Sequence, residues 1–136
     1  VPAIMLPKAI KVPINLEGAS NLGSLEFVLV YQPSVLELTG VERGALAGDA
    51  LLESSATVPG LIWAGMIDAT GISGDGPAVL ISFAVVGDSG SDTQLALENV
   101  VAHDATTLLD VITQVSPGSF VVKDGSLSAP TLGFLP

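Results

Sequence analysis

The chain contains no cysteine, which excludes disulfides and thiolate metal sites and leaves the compartment open. Only Lys8, Lys11, Arg43 and Lys123 are basic, against 14 acidic residues. With a formal net charge of −10, nucleic acid and anionic membrane are poor partners, whereas a basic protein surface is attracted. His103 is the single histidine, too few for a transition-metal site without cysteine beside it. Aromatic residues are 4% of the chain, which argues against a row of stacking rings. No uncharged run reaches the ~18–20 residues of a membrane helix. The longest, Ser54–Ile67, is broken by Pro59-Gly60, so membrane insertion is not expected. No Asn-x-Ser/Thr sequon occurs. A first residue of Val1 and no visible signal peptide fit an excised module or a processed chain.

What is present is apolar and rich in turns. Of 136 residues, 49% are hydrophobic and only 13% charged, with 15 glycines and 9 prolines. That length gives one domain a real core and is short for two. The clearest strand is Leu25–Tyr31, stopped by Gln32-Pro33-Ser34 because proline fixes its φ and lacks an amide donor. Leu25, Phe27, Leu29 and Tyr31 share one side, and Glu26, Val28 and Val30 the other. The first set is bulkier and is assigned to the core.

Other strands are expected at Ala3–Leu6, Ile10–Leu16, Val35–Val41, Leu51–Thr57, Leu61–Ile67, Ala78–Val86, Thr93–Val101, Leu109–Val115 and Phe120–Lys123. Pro13 marks an edge or bulge. Gly18–Gly23 and Ala69–Pro77 read as loops, and Gly44–Gly48 as a surface turn. No segment keeps a helical apolar period over three turns. Roughly nine short strands with frequent turn signals predict an all-β sandwich or jelly roll. Residues 1–125 form the sandwich in this reading. Residues 126–136, uncharged with Leu127, Leu132, Phe134 and Leu135, are set apart as an apolar tail, either a linker or a segment packing on a neighbour.

Candidate chemistry is thin. Gly87-Asp88-Ser89-Gly90 matches the serine motif of chymotrypsin-like proteases, but His103 follows it rather than precedes it. Gly71–Gly76 lacks the Lys-Ser/Thr of a phosphate loop. Asp68, Asp75, Asp88, Asp92, Asp104 and Asp110 lie mostly in turns and contain no EF-hand spacing. No catalytic or metal-ligating set is assigned. Trp63 is read as a core residue, with Gly65 giving the ring room inside. By alternation Ile62, Ala64 and Met66 then face outward beside Glu26, Val28 and Val30, as a flat apolar patch with an acidic rim.

Several segments together resemble the cohesin modules of bacterial and archaeal scaffolding proteins. They are Val12-Pro13-Ile14, Leu25-Glu26-Phe27 running to Tyr31-Gln32-Pro33-Ser34-Val35-Leu36-Glu37, Thr70-Gly71-Ile72-Ser73-Gly74, and Gly118-Ser119-Phe120-Val121-Val122. The resemblance covers about residues 10–124. Gln32 stands where the family usually has aspartate, and Pro7-Lys8 replaces a glycine turn. The resemblance implies a nine-stranded jelly-roll sandwich, extracellular or at the cell surface. It further implies binding of a dockerin, a small calcium-loaded helical module, across the sheet of Leu25–Tyr31, Leu51–Thr57, Leu61–Ile67 and Thr93–Val101. Ser24 and Glu26 fall at polar contact positions of the family, and Ala64 and Ile67 at contacts on a neighbouring strand. The calcium belongs to the partner, so no cofactor is expected here. Rival readings are a carbohydrate-binding module, which needs Trp63 or Tyr31 at the surface, and a structural domain that self-associates weakly through its tail.

Overall fold

The computed structural model describes residues 9–109, 111, 114–122 and 129–135. The strand expected at Ala3–Leu6 lies outside them. Eight strands occur among the described residues: β1 (Ala9–Val30), β2 (Leu36–Arg43), β3 (Leu51–Ser55), β4 (Leu61–Val85), β5 (Asp92–Asp104), β6 (Gln114–Ser116), β7 (Gly118–Val121) and β8 (Leu132–Leu135). A 3₁₀ turn at Ala45–Ala47 is the surface turn expected between β2 and β3.

The 25 residues of β4 would reach about 80 Å if straight, roughly twice the width of a domain this size. Both β4 and β1 therefore bend and serve two layers. The first arm of β1 pairs with the last arm of β4 (Val12↔Ile81, Ile14↔Val79), and the last arm of β1 with the first arm of β4 (Leu25↔Met66, Leu29↔Ile62). One layer runs β2, β4, β1, β8, β6, and the other β3, β4, β1, β5, β7. This is the expected all-β sandwich, with strand count reduced because two strands each do the work of two. Phe27 of one layer meets Phe134 of the other at 5.7 Å between ring centroids, and Tyr31 meets Phe83 at 5.0 Å.

The core follows the alternation. Ile10, Val12, Ile14 and Leu16 are buried, as are Leu25, Phe27, Leu29 and Tyr31. Pro13 sits one residue before β1 begins to pair with β8, where a missing amide donor costs no ladder bond on that side. Ala78–Val85 lies between β1 and β2, as a continuous apolar run should.

Two expectations are corrected. The glycine-rich stretches at Gly18–Gly23 and Ala69–Pro77 are not free loops. They pair with each other through bulges (Ala19↔Gly74, Leu22↔Ile72) and form the bends. Glycine at 71 is required there: φ is +85°, and a Cβ would collide with the Asn21 Oδ1 atom. Asn21 (φ 53°) ties the bend together. Its amide N–H donates to Ser73 Oγ at 2.9 Å, and its Nδ2 donates to Asp104 Oδ1 at 3.2 Å and Thr106 Oγ1 at 2.9 Å. Asp104 also accepts from the Thr106 and Thr107 N–H groups, both at 2.8 Å.

The second correction concerns the tail. Residues 132–135 are neither a linker nor a patch for a neighbour. They form β8, parallel to β1 (Ile14↔Leu132, Leu16↔Phe134) and antiparallel to β6. Leu132 and Phe134 are 1% and 3% exposed within this chain's own core. The apolar residues that made self-association attractive at these positions are already covered, so the division at residue 125 does not separate them from the sandwich.

Two outcomes follow. Phe134→Ala should lower the unfolding free energy by about 3–5 kcal/mol in urea titration, whereas a linker residue would change it little. The second concerns acid. The Thr107 N–H, then the Thr106 N–H, hold the Asp104 carboxyl below its ordinary 3.8. The Thr70 hydroxyl and N–H do the same for Asp68. A depressed carboxyl stabilises the fold above its unfolded value and loses that contribution as pH falls through its folded value. Asp104→Ala should therefore lower Tm at neutral pH and shrink the further loss on acidification below 3.8.

Candidate functional site

The outer side of the β3-β4-β1-β5 layer is a four-strand face whose cross-strand partners form rows. These are the four strands expected to form the binding sheet. Leu51, Ile67, Ser24 and His103 make the first row, and Glu53, Gly65, Glu26 and Val101 the second. Ser55, Trp63, Val28 and Glu98 make the third, and Leu61, Val30 and Ala96 the fourth. Three strand spacings give about 14 Å of width, and three two-residue steps about 20 Å of length. One helix of three to four turns covers such an area.

Ser24, Glu26, Val28, Val30 and Ile67 stand on this face as expected, and Ile67 is 61% exposed. Ile62, Ala64 and Met66 do not. They point into the sandwich and are 0, 0 and 3% exposed. The expectation that they face outward is overturned by register: they pair with Leu29, Phe27 and Leu25, and directly paired residues share a side. Trp63 is therefore outside, half-buried, instead of in the core. An indole N–H deep in the sandwich would need an acceptor that its apolar walls lack. Outside, it donates to Glu26 Oε1 at 2.9 Å. Gly65 does make room for the ring, on the outer side: a Cβ there would lie 2.8 Å from Trp63 Cη2 and Cζ2.

Leu51, Glu53, Trp63, Val101 and His103 were not assigned to the face from sequence. The signal was present as the alternation of Leu61, Trp63, Gly65 and Ile67, read with the wrong phase. Leu51 is 73% exposed and, with the exposed Ile67 and Val101, makes the apolar surface here contiguous. His103 lies in β5 with Nδ1 3.3 Å from Ser24 Oγ. A hollow of about 270 Å³ opens between Trp63, Ile67, Leu51 and Val101, rimmed by Glu26 and Glu53. Of the described basic residues, Lys11 pairs with Glu42 at 2.7 Å and Arg43 donates to the Ala50 carbonyl at 3.2 Å, and neither stands in the rows of this face. The face thus carries apolar side chains with three carboxylates among them: Glu53 and Glu98 on its outer strands and Glu26 on the inner strand β1.

The loop aspartates serve local structure. Asp75 Oδ1 accepts from the Gly18 N–H at 2.6 Å, and Asp68 Oδ1 accepts from the Thr70 hydroxyl at 2.6 Å. Among the described residues no three acidic or imidazole groups converge as a metal site.

Comparisons with known proteins agree with this architecture. No curated protein sequence matches significantly. Solved structures match over nearly the whole chain. A non-cellulosomal cohesin from the hyperthermophilic archaeon Archaeoglobus fulgidus aligns at 24% identity and TM-score 0.70, covering 96% of this chain and 82% of that one. A cohesin from Clostridium acetobutylicum aligns at 18% identity and TM-score 0.73, covering 88% and 84%. The sixth cohesin of scaffoldin B from Acetivibrio cellulolyticus, solved with a Cel5 dockerin, aligns at 18% identity and TM-score 0.69, covering 96% and 90%. The family model for the cohesin domain matches residues 8–124, and this chain, a jelly-roll sandwich, belongs to the cohesin family.

Proposed function

We propose that the β3-β4-β1-β5 face binds the helix of a calcium-loaded dockerin, making this chain a non-catalytic module that assembles proteins outside the cell or at its surface. The observation that carries the reading is the face itself: four registered strands bearing apolar side chains, with Glu53 and Glu98 on the outer strands, Glu26 on an inner one, and neither Lys11 nor Arg43 in its rows. Ser24, Val28, Val30 and Ile67 keep the partner-binding role expected of them, and Glu26 stays on the same face. Trp63, Leu51 and Val101 take the places that Ile62, Ala64 and Met66 vacate. Calcium belongs to the partner and leaves this chain without a cofactor.

Trp63 at the surface also favours a glycan platform, the one observation on that side. The flanking Leu51, Ile67 and Val101 offer a sugar few hydrogen bonds, so the protein partner is preferred.

Isothermal titration against calcium-loaded dockerins, those of the same proteome included, tests the reading. Val28→Asp and Ile67→Asp should each weaken binding by about 30-fold or more, the effect of losing a central contact. Chelating calcium should abolish binding and leave this chain's own Tm unchanged. No binding to any dockerin would overturn the proposal.

A further inference from the structure

Glu26 is an exposed carboxylate on the proposed face, so direct pairing with a partner is its obvious role. The structure gives it a prior engagement. Its Oε1 accepts the Trp63 indole N–H at 2.9 Å. The ring is also laid over Gly65, where any Cβ would lie 2.8 Å from two ring carbons. The bare glycine and the carboxylate together fix the indole across the sheet. In that pose Trp63 is one wall of the 270 Å³ hollow whose other apolar sides are Leu51, Ile67 and Val101.

Resting on the dockerin reading of this face, we infer that the hollow receives one large aliphatic side chain from the partner's helix, and that Glu26 is a positioning residue acting through Trp63. The size is adequate, since a cavity of about 150 Å³ already holds a benzene ring. The lining favours an apolar group, because most of its surface is apolar, with Ser24, Glu26, Glu53 and His103 as its polar members. The exposed Glu53, directly across from Gly65, sits one strand spacing of about 4.8 Å away. That matches the 5–6 Å between side chains one helical turn apart, so a lysine or arginine three or four residues from the aliphatic group reaches Glu53. The partner's chemistry is thus an aliphatic knob with a cation one turn away.

Trp63 is the only tryptophan in the chain, so its indole N–H gives one resonance and its emission reports one site. Four variants separate the roles in titrations with calcium-loaded dockerin. Trp63→Ala should weaken binding about 30-fold or more, and Glu26→Ala and Gly65→Ala about 10-fold each. Glu26→Gln keeps an acceptor oxygen and loses the charge, and should stay within about 3-fold of the unmodified chain. In the free protein, the indole resonance should move in Glu26→Ala and hold its place in Glu26→Gln. Should Gly65→Ala not fold, Trp63→Phe, which keeps a ring but has no N–H, takes its place and should resemble Glu26→Ala. Equal losses for Glu26→Gln and Glu26→Ala would overturn the positioning role and assign Glu26 a charge contact with the partner. Unchanged binding by Gly65→Ala, or Trp63 emission unmoved by bound dockerin, would overturn the hollow. If no dockerin binds the unmodified chain, the reading of the face fails separately. The hollow then stands or falls on isobutanol shifting the indole resonance, and a shift with cello-oligosaccharide instead would overturn it in favour of a sugar site.

Discussion

The pairing of β1 with β4 governs the molecule. Each strand is bent, and each pairs with the other in both layers, so one ladder determines which side chains face inward twice over. Slipping β1 by one residue in that register would turn Phe27 and Val12 to water and Glu26 and Lys11 to the core. The bend itself is held where glycine and Asn21 accept backbone shapes that other residues resist. The Asn21–Asp104–Thr106 hydrogen bonds fasten that corner to the end of β5, beside His103 on the outer face. The shape of the candidate site is thus a by-product of how the core is closed.

Much of this was legible. In Leu25–Tyr31 alternation separates four bulky residues from a carboxylate and two valines, and burial alone resolves the two sides. Leu61–Ile67 was not legible in the same way, because both of its sides are apolar. Ile62, Ala64 and Met66 compete with Leu61, Trp63 and Ile67 for the interior, and size favours the wrong set. What decides is the partner strand: Ile62, Ala64 and Met66 stand opposite Leu29, Phe27 and Leu25, whose side is the core. Such long-range pairing is invisible to a window of neighbouring residues. Glycine misled for a similar reason. It marks loops and bulges alike, and only the complementary stretch some 50 residues away distinguishes them. The last strand was hidden by separation of another kind, since Leu132 and Phe134 complete a layer begun at Ile14.

Charge gives the face its manners toward other copies of itself. An exposed apolar patch invites dimers, yet two such faces would bring Glu26, Glu53 and Glu98 of each copy together. With a net charge of −10 and no described cation on the face, that encounter is repelled over a Debye length of about 8 Å at physiological salt. A basic helix meets the opposite field. The same few carboxylates therefore discourage one association and speed another.

The four rows of the face are pinned by backbone ladders on β4 and β1, the two strands that also build the opposite layer. Such a floor has almost no conformational freedom left to surrender when something settles on it. The ordering entropy of an encounter then falls on the visitor, and a visitor already folded into a stiff helix surrenders little either. Tight association becomes attainable over a small footprint, and selectivity is written in which side chains arrive, since the surface itself does not bend to meet them.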